Sequence, residues 1–231
     1  MKAVILAGGE GRRLHPHTLK VPKPMMPIGD RPILERLVGQ LRRCGIVDLI
    51  LATGHLDGII RGHFGDGRDH GVSIRYSQEA QALGTAGPLG LVRAELDRTF
   101  LVLNSDIFAD LDLGAIVADH RHRGSDATVV LARHAKALEF GVVRLDERGD
   151  VASWEEKPVV EHLVSAGACV LEPGALAHLP QSGHANMPDL VLALVRAGKR
   201  VRGYLHRGYW YDIGRPADYE RACAAARVER P

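Results

Sequence analysis

Cysteine is scarce in this chain: Cys44, Cys169 and Cys223 are the only three in 231 residues, and no CxxC pair occurs. An odd number at wide spacing predicts neither a disulfide framework nor a cysteine-built zinc site, and it fits a reducing compartment. Long apolar runs are missing too. Ala3–Ala7 is too short for a signal-peptide core or a membrane span, and nothing later comes close. Excess charge of one sign is also absent, since 30 Lys and Arg face 28 Asp and Glu for a formal net charge of +2. That balance excludes a general nucleic-acid footprint. Histidines are present but badly spaced for a metal: His15 and His17, or His120 and His122, point apart on a helix, so no ligand set is expected. The expectation is a cytoplasmic protein with no membrane or nucleic-acid partner.

What is present is the balance of an ordinary globule, 45% apolar and 25% charged. A chain of this length can bury roughly 70% of its unfolded surface, enough to fold without cross-links. Ala3–Leu6, bounded by glycines, reads as a buried parallel strand. Ile33, Leu34, Leu37, Val38 and Leu41 then recur at helical spacing, with Asp30 as cap, Pro32 in the first turn and Gly45 as stop. Further strands are expected at Asp48–Thr53, Val72–Tyr76 and Thr99–Leu103, with helices at Gly58–Phe64 and Thr85–Ala94 between them. Strand alternating with helix implies right-handed βαβ units. Beyond Asp112 a helix to Arg123 leads into short strands at "ATVVLAR", "FGVVRLD", "VASWEEK" and "SAGACVLEP". A helix at Met187–Ala197, a strand near Val201–Leu205 and a helix from Pro216 finish the chain. The fold class expected is α/β, a Rossmann-like mixed and mainly parallel sheet flanked by helices with a small β extension. One domain, 1–231, is expected, in halves of 1–112 and 113–231.

Polar clusters fall at the carboxyl ends of these strands, where open parallel sheets bind ligands. In "LAGGEGRRL", Gly8, Gly9 and Gly11 can bring backbone amides close to a polyphosphate, while Arg12, Arg13 and Lys23 carry the balancing charge. A glycine pair after a strand is as often a plain turn. The spacing matches neither a Walker loop nor a Rossmann fingerprint, for Leu14 stands in the third glycine's place. "VPKPMMPI" sharpens the reading, because prolines on both sides of Lys23 hold the segment extended and aim the amine. Asp106 in "LVLNSDI" is either a turn or cap residue or a Mg²⁺ ligand, as Mg²⁺ prefers one or two carboxylates plus substrate phosphates. "EEKP" at Glu155–Pro158 is either a solvated face or a grip on sugar hydroxyls and phosphate. Asp212 sits oddly for a solubility charge, between aromatics and glycine in "GYWYDIG".

Taken together, "LAGGEGRRL", "PKPMMPI", "LGTAGPL", "NSD", "EKP", "SAG" and "WYDIGRPADY" occur in an order that resembles the sugar-1-phosphate nucleotidyltransferases, from Lys2 to about Tyr219. "LGTAGPL" looks most like the mannose-1-phosphate and manno-heptose-1-phosphate guanylyltransferases, with some uridylyl enzymes similar there. The resemblance implies a nucleotide site of Leu6, Ala7, Gly8, Gly9, Gly11, Arg12, Arg13 and Lys23, with Gln78, Gly84 and Thr85 toward the base. It implies a sugar-phosphate site of Gly141, Glu156, Lys157 and Gly167, and Mg²⁺ on Asp106 and Asp212. Arg13, Lys23, Asp106, Lys157 and Asp212 would be the catalytic set. Its partners would be a nucleoside triphosphate and a sugar 1-phosphate, and a homo-oligomer is compatible with it.

Three departures stand out: Arg12 replaces a small Thr, Ser105 a Gly, and Ser165 the Asn before Ala-Gly, the last bearing on the sugar. The C-terminal β-helix of larger relatives, and control through it, is not expected. A phosphate monoester is largely dianionic near neutral pH, so its attack on the α-phosphate needs no general base. A nucleotide-sugar glycosyltransferase and a catalytically silent homologue are the rivals. The first would not need a loop for a triphosphate, and the joint presence of all five charged residues argues against the second.

Overall fold

Strand β1 (Lys2–Ala7) sends Ala3, Ile5 and Ala7 into one core and Val4 with Leu6 into another, so both its faces are covered. This is why its sequence is a continuous apolar run rather than an alternation. The computed structural model describes residues 1–214 and 216–228. After β1 comes a small hairpin of β2 (Pro27–Ile28) and β3 (Arg31–Pro32), then α1 (Ile33–Arg43), β4 (Asp48–Thr53), α2 (Asp57–Phe64) and β5 (Ser73–Gln78). A short α3 (Pro88–Leu91) precedes β6 (Phe100–Asn104), β7 (Ile107–Ala109) and α4 (Leu113–His122). The second half holds β8 (Ala127–Ala137), β9 (Val142–Leu145), β10 (Val151–Glu155) and β11 (Val159–Leu171). It closes with α5 (Met187–Arg196), β12 (Val201–Leu205), β13 (Trp210–Asp212) and α6 (Pro216–Val228).

Seven strands form the main sheet in the order β12-β8-β11-β6-β1-β4-β5. Strand β1 runs parallel to β4 and β6, β4 to β5, and β12 to β8. Only β11 runs against its neighbours β6 and β8. The chain leaves β1 toward β4 on one side and returns as β6 on the other, which opens a crevice at the carboxyl ends of β1 and β6. Helices α1, α2 and α4 cover one face, with Leu34, Leu41, Ile60 and Ile116 fully buried; α5 covers the other through Leu190 and Leu194. A third cluster of Leu14, Ile28, Ile33, Phe108, Ile213 and Ala222 joins the loop after β1 to α6.

Most expected elements are present, with three differences. Asp30 does not cap α1. It lies in the β2–β3 turn beside Gly29 (φ 68°), and Asp30 Oδ1 accepts from Arg36 Nη2 at 3.1 Å, leaving Pro32 at the helix entry. The helix expected over Thr85–Ala94 shrinks to α3 and a 3₁₀ turn at Arg93–Glu95. The cause is tertiary: Ala86 and Gly87 donate their N–H groups to the Ala185 carbonyl, and Ala185 donates to Leu83. Those bonds replace a helix's own first turn. Strands β7 and β13 were not anticipated. They pair antiparallel, setting Asp212 opposite Ile107 and so beside Asp106.

Strands β8 and β11 continue past the sheet as a two-stranded ribbon, with Val159 paired to Ala137. Hairpin β9–β10 lies in the connection between these two strands and, among the described residues, pairs with no other strand. Every residue of β10 is exposed. This is the β extension anticipated from the short strands, drawn out as a flap.

Candidate active site

The loop after β1 is shaped by what its backbone meets. A Cβ on Gly54 would stand 2.9 Å from the Gly8 carbonyl oxygen, so a side chain is excluded there, while one on Gly8 would press on the Glu79 carboxylate and have to displace it. Gly11 adopts φ 64°, and its carbonyl accepts the Thr18 hydroxyl at 2.9 Å. The loop lines a cavity of about 440 Å³ with Leu6, Gly8, Gly9, Gly11, Arg12 and Arg13. Glu79, Ala82, Gly84, Thr85 and the Asn104–Ser105–Asp106 turn complete the far wall. Arg12 pairs with Glu10 at 2.5 Å and stays largely in solvent, while Arg13 sends its guanidinium toward Gly214.

The segment around Lys23 is not extended as expected: Lys23 opens a 3₁₀ turn between Pro22 and Pro24, and Met26 N–H bonds its carbonyl at 3.1 Å. Its backbone is thus fixed and its ammonium is delivered to the crevice floor, where it donates to Asp106 Oδ2. The pair is mostly buried, with side chains 11% and 20% exposed. Asp212 reaches the same spot from β13. A Cβ on Gly214 would lie 3.0 Å from Asp212 Oδ2 and 3.3 Å from Arg13 Nη1, so the four charged groups share one corner. Burial pushes the Asp212 carboxyl above its ordinary value, repulsion from Asp106 adds to this, and Lys23 and Arg13 oppose it. Among the described residues no group of three or more His, Cys, Asp or Glu gathers as a metal site. A two-carboxylate corner already attracting a cation does fit Mg²⁺, which completes its shell with water and phosphate oxygens.

Leu6, Arg13, Thr85, Asn104 and Asp106 also border a second cavity of about 1130 Å³, so the two form one crevice. Gly167 lies in its wall, in a bulge of β11 with φ 77°, where a Cβ would meet Asn104 Nδ2 at 2.9 Å. Ser165 Oγ accepts the Gly167 N–H at 3.3 Å. Trp210 Nε1 donates to the Ala166 carbonyl at 3.1 Å, which ties β13 to this bulge. Asn186 caps α5 in a reciprocal box with Asp189, and Thr85 Oγ1 accepts the Met187 N–H at 2.7 Å.

Five anticipated residues lie elsewhere. Ala7 is buried in the core and lines neither cavity. Gln78 is exposed and lines a separate cavity of about 340 Å³ with Leu83 and Leu179. The reason is alternation: successive residues at the end of β5 point opposite ways, so Glu79, not Gln78, reaches the crevice. Gly141, Glu156 and Lys157 sit on the flap outside the crevice wall. There Trp154 Nε1 donates to Glu156 Oε2 at 3.2 Å, and Lys157 takes φ 46°. The sequence reading also missed Arg133 and Lys136 of β8, which border the larger cavity. Only their place on the ribbon edge marks them. Arg215 of the "WYDIGRPADY" run lies outside the described residues.

A cation-bearing glycine crevice at the switch point of a mixed sheet is the place where open α/β proteins bind their ligands. Residues 2–228 match the family model described as nucleotidyl transferase, and the chain belongs to that family. It is 35% identical to the mannose-1-phosphate guanylyltransferase of Mycobacterium tuberculosis over 228 residues, 96% of this chain and 63% of that one. A UTP–glucose-1-phosphate uridylyltransferase of Synechocystis is equally similar, 35% over 241 residues, 96% of this chain and 62% of that one. The chain therefore spans less than two thirds of these relatives' length. Among solved structures, a Bacillus anthracis protein provisionally described as a glucose-1-phosphate thymidylyltransferase superposes with a TM-score of 0.81 at 27% identity, covering 100% and 97% of the two chains. HddC from Yersinia pseudotuberculosis complexed with GMP-PN gives 0.72 at 25%, covering 97% and 98%.

Proposed function

We propose that this chain transfers a nucleoside monophosphate from a nucleoside triphosphate, GTP by preference, to a sugar 1-phosphate of the mannose or manno-heptose type. The observation that carries the reading is the convergence of Arg13, Lys23, Asp106 and Asp212 beside the glycine loop. Bringing two polyanions together is the main obstacle, so fixed cations and positioning supply most of the rate. Backbone amides of Gly8–Gly11 hold the triphosphate while Arg13 and Lys23 neutralise it. Asp106 and Asp212 would hold Mg²⁺, which when bound draws the two phosphates together. Gly167 takes the sugar phosphate in the larger cavity, and Gly141, Glu156 and Lys157, which stand outside the crevice wall, join it as the flap folds over. The sugar phosphate's oxygen forms the new bond to the α-phosphorus as the bond to pyrophosphate breaks in line.

Guanine is favoured by Glu79. An ionised carboxylate offers acceptors only. Guanine presents two adjacent donors, N1–H and N2–H₂, whereas uracil sets its single N3–H between two acceptors that a second carboxylate oxygen would repel. The similarity of HddC, solved with GMP-PN, supports the same base. UTP is the second reading, carried by the Synechocystis relative at the same identity as the guanylyl one. Pyrophosphate release from GTP, UTP, CTP, dTTP and ATP, each with mannose 1-phosphate and a manno-heptose 1-phosphate, tests the reading. Highest kcat/KM with GTP and loss of turnover in excess chelator are expected. Preference for another base would overturn the guanine assignment, and no pyrophosphate from any pair would overturn the activity.

A further inference from the structure

We propose that the Lys23 ammonium holds the place of the divalent cation in the nucleotide-free enzyme, and that the arriving triphosphate draws it away and frees Asp106 for the metal. This rests on the reading that Asp106 and Asp212 bind Mg²⁺, and adds how that site is loaded. The ammonium donates to Asp106 Oδ2, and Asp212 feels both the negative charge of Asp106 and the positive charge of Lys23. Lys23 and Arg13 therefore face two neighbouring carboxylates, and Lys23 is the cation hydrogen-bonded to Asp106. Such a charge, mostly removed from water, needs a counter-ion, and Asp106 is the one carboxylate paired with it among the described residues.

A divalent ion binding Asp106 through its other oxygen while the ammonium stays on Oδ2 would lie a few ångströms from a second cation, and that repulsion in a mostly buried corner weakens its binding. The Lys23 backbone cannot retreat, being held by flanking prolines and by the bonds of Met25 N–H to the Pro22 carbonyl and Met26 N–H to the Lys23 carbonyl. Only the side chain can swing, on a flexible four-carbon stem suited to it. The same cavity wall contains the glycine loop and Arg13, so a triphosphate seated there offers the ammonium a stronger partner within reach. Metal and nucleotide then assist each other's binding. By linkage the factor is the same in both directions.

The test is Mn²⁺ binding to nucleotide-free protein, with free Mn²⁺ read by electron paramagnetic resonance. Lys23→Met, and separately the polar Lys23→Gln, should bind Mn²⁺ at least tenfold more tightly than wild type. Lys157→Met should match wild type, and adding Asp106→Asn to Lys23→Met should abolish the gain. No tightening in either Lys23 variant would overturn the proposal. A parallel titration with a non-hydrolysable GTP analogue separates the underlying reading: there Asp106→Asn should lower Mn²⁺ uptake in an otherwise wild-type chain. If it does not, the metal assignment itself falls. If it does while the Lys23 variants still match wild type, only the place-holding role falls.

Discussion

Glu79 and Asp212 both hold charge where burial resists it, and each makes a different prediction. Burial raises the Glu79 carboxyl, and the Leu83 N–H bond at 2.9 Å works against that rise. Replacing it by Gln keeps shape but turns one acceptor into a donor facing guanine's own donors. A mismatch of that kind costs about 1–3 kcal/mol, roughly a 5- to 150-fold loss in kcat/KM. Glu79→Gln should lose that much with GTP and far less with UTP; equal losses would remove Glu79 from base recognition. Asp212 is raised mainly by burial and by Asp106, so the folded chain holds its proton more strongly than the unfolded chain. Its ionisation therefore weakens the fold as pH rises through the raised value. Asp212→Asn should raise Tm at neutral pH while abolishing turnover. The gain is no more than about 1 kcal/mol, since solvent in the crevice screens the carboxylate, or about 2–4 °C. It should vanish below the ordinary value of 3.8, where both states are protonated. A lowered Tm at neutral pH would contradict this electrostatic account.

On the proposed function, two elements divide the substrates. Lys23 belongs to the turn after the glycine loop and Lys157 to the exit of the flap, so their removal should separate kinetically. Lys23→Ala should chiefly raise KM for the triphosphate and Lys157→Ala chiefly that for the sugar phosphate. A lost charged contact of about 1.5–3 kcal/mol means roughly 10- to 150-fold in each case, with some fall in kcat because both charges act on the transition state. Identical defects toward both substrates would break the two-site reading. Elements also mark how far the sequence could be read. Strands β1, β4 and β6 were legible because burial on both faces writes an unbroken apolar run, and α1 because one face writes a helical period. That Asp106 at a strand end and Lys23 between prolines would line the crevice was legible. That Asp212 meets Asp106 was not, because β7 and β13 are three residues each and their pairing is long-range. The crevice lining at the end of β5 also escaped, since one step along the strand exchanges Gln78 for Glu79. The curtailed α3 escaped because its backbone bonds go to Ala185, which local spacing does not register.

At the scale of the whole molecule, the chain's last helix is bound to its first loop. Ala222 of α6 is fully buried with Leu14, Ile28, Ile33, Phe108 and Ile213, which belong to the glycine loop's exit, the small hairpin, α1, β7 and the segment after β13. The Tyr219 hydroxyl donates to the Pro27 carbonyl at 2.6 Å. Burial pushes that phenol up to about 12, with Cys223 adding to the rise, so it remains a donor throughout the working range. Helix α6 thus braces the glycine loop against the strand that carries Asp212. Tyr219→Phe should cost about 1 kcal/mol or less, since one partly exposed hydrogen bond is lost. Ala222→Glu forces an unpaired carboxylate into the cluster at about 3–5 kcal/mol, a fall in Tm of roughly 6–20 °C. Because both carboxylates and the triphosphate loop converge through this cluster, residual folded protein should show raised KM for both substrates, unlike either lysine variant. Thermal unfolding with two-substrate kinetics checks this, and an Ala222→Glu chain that melts like wild type would show that α6 braces nothing.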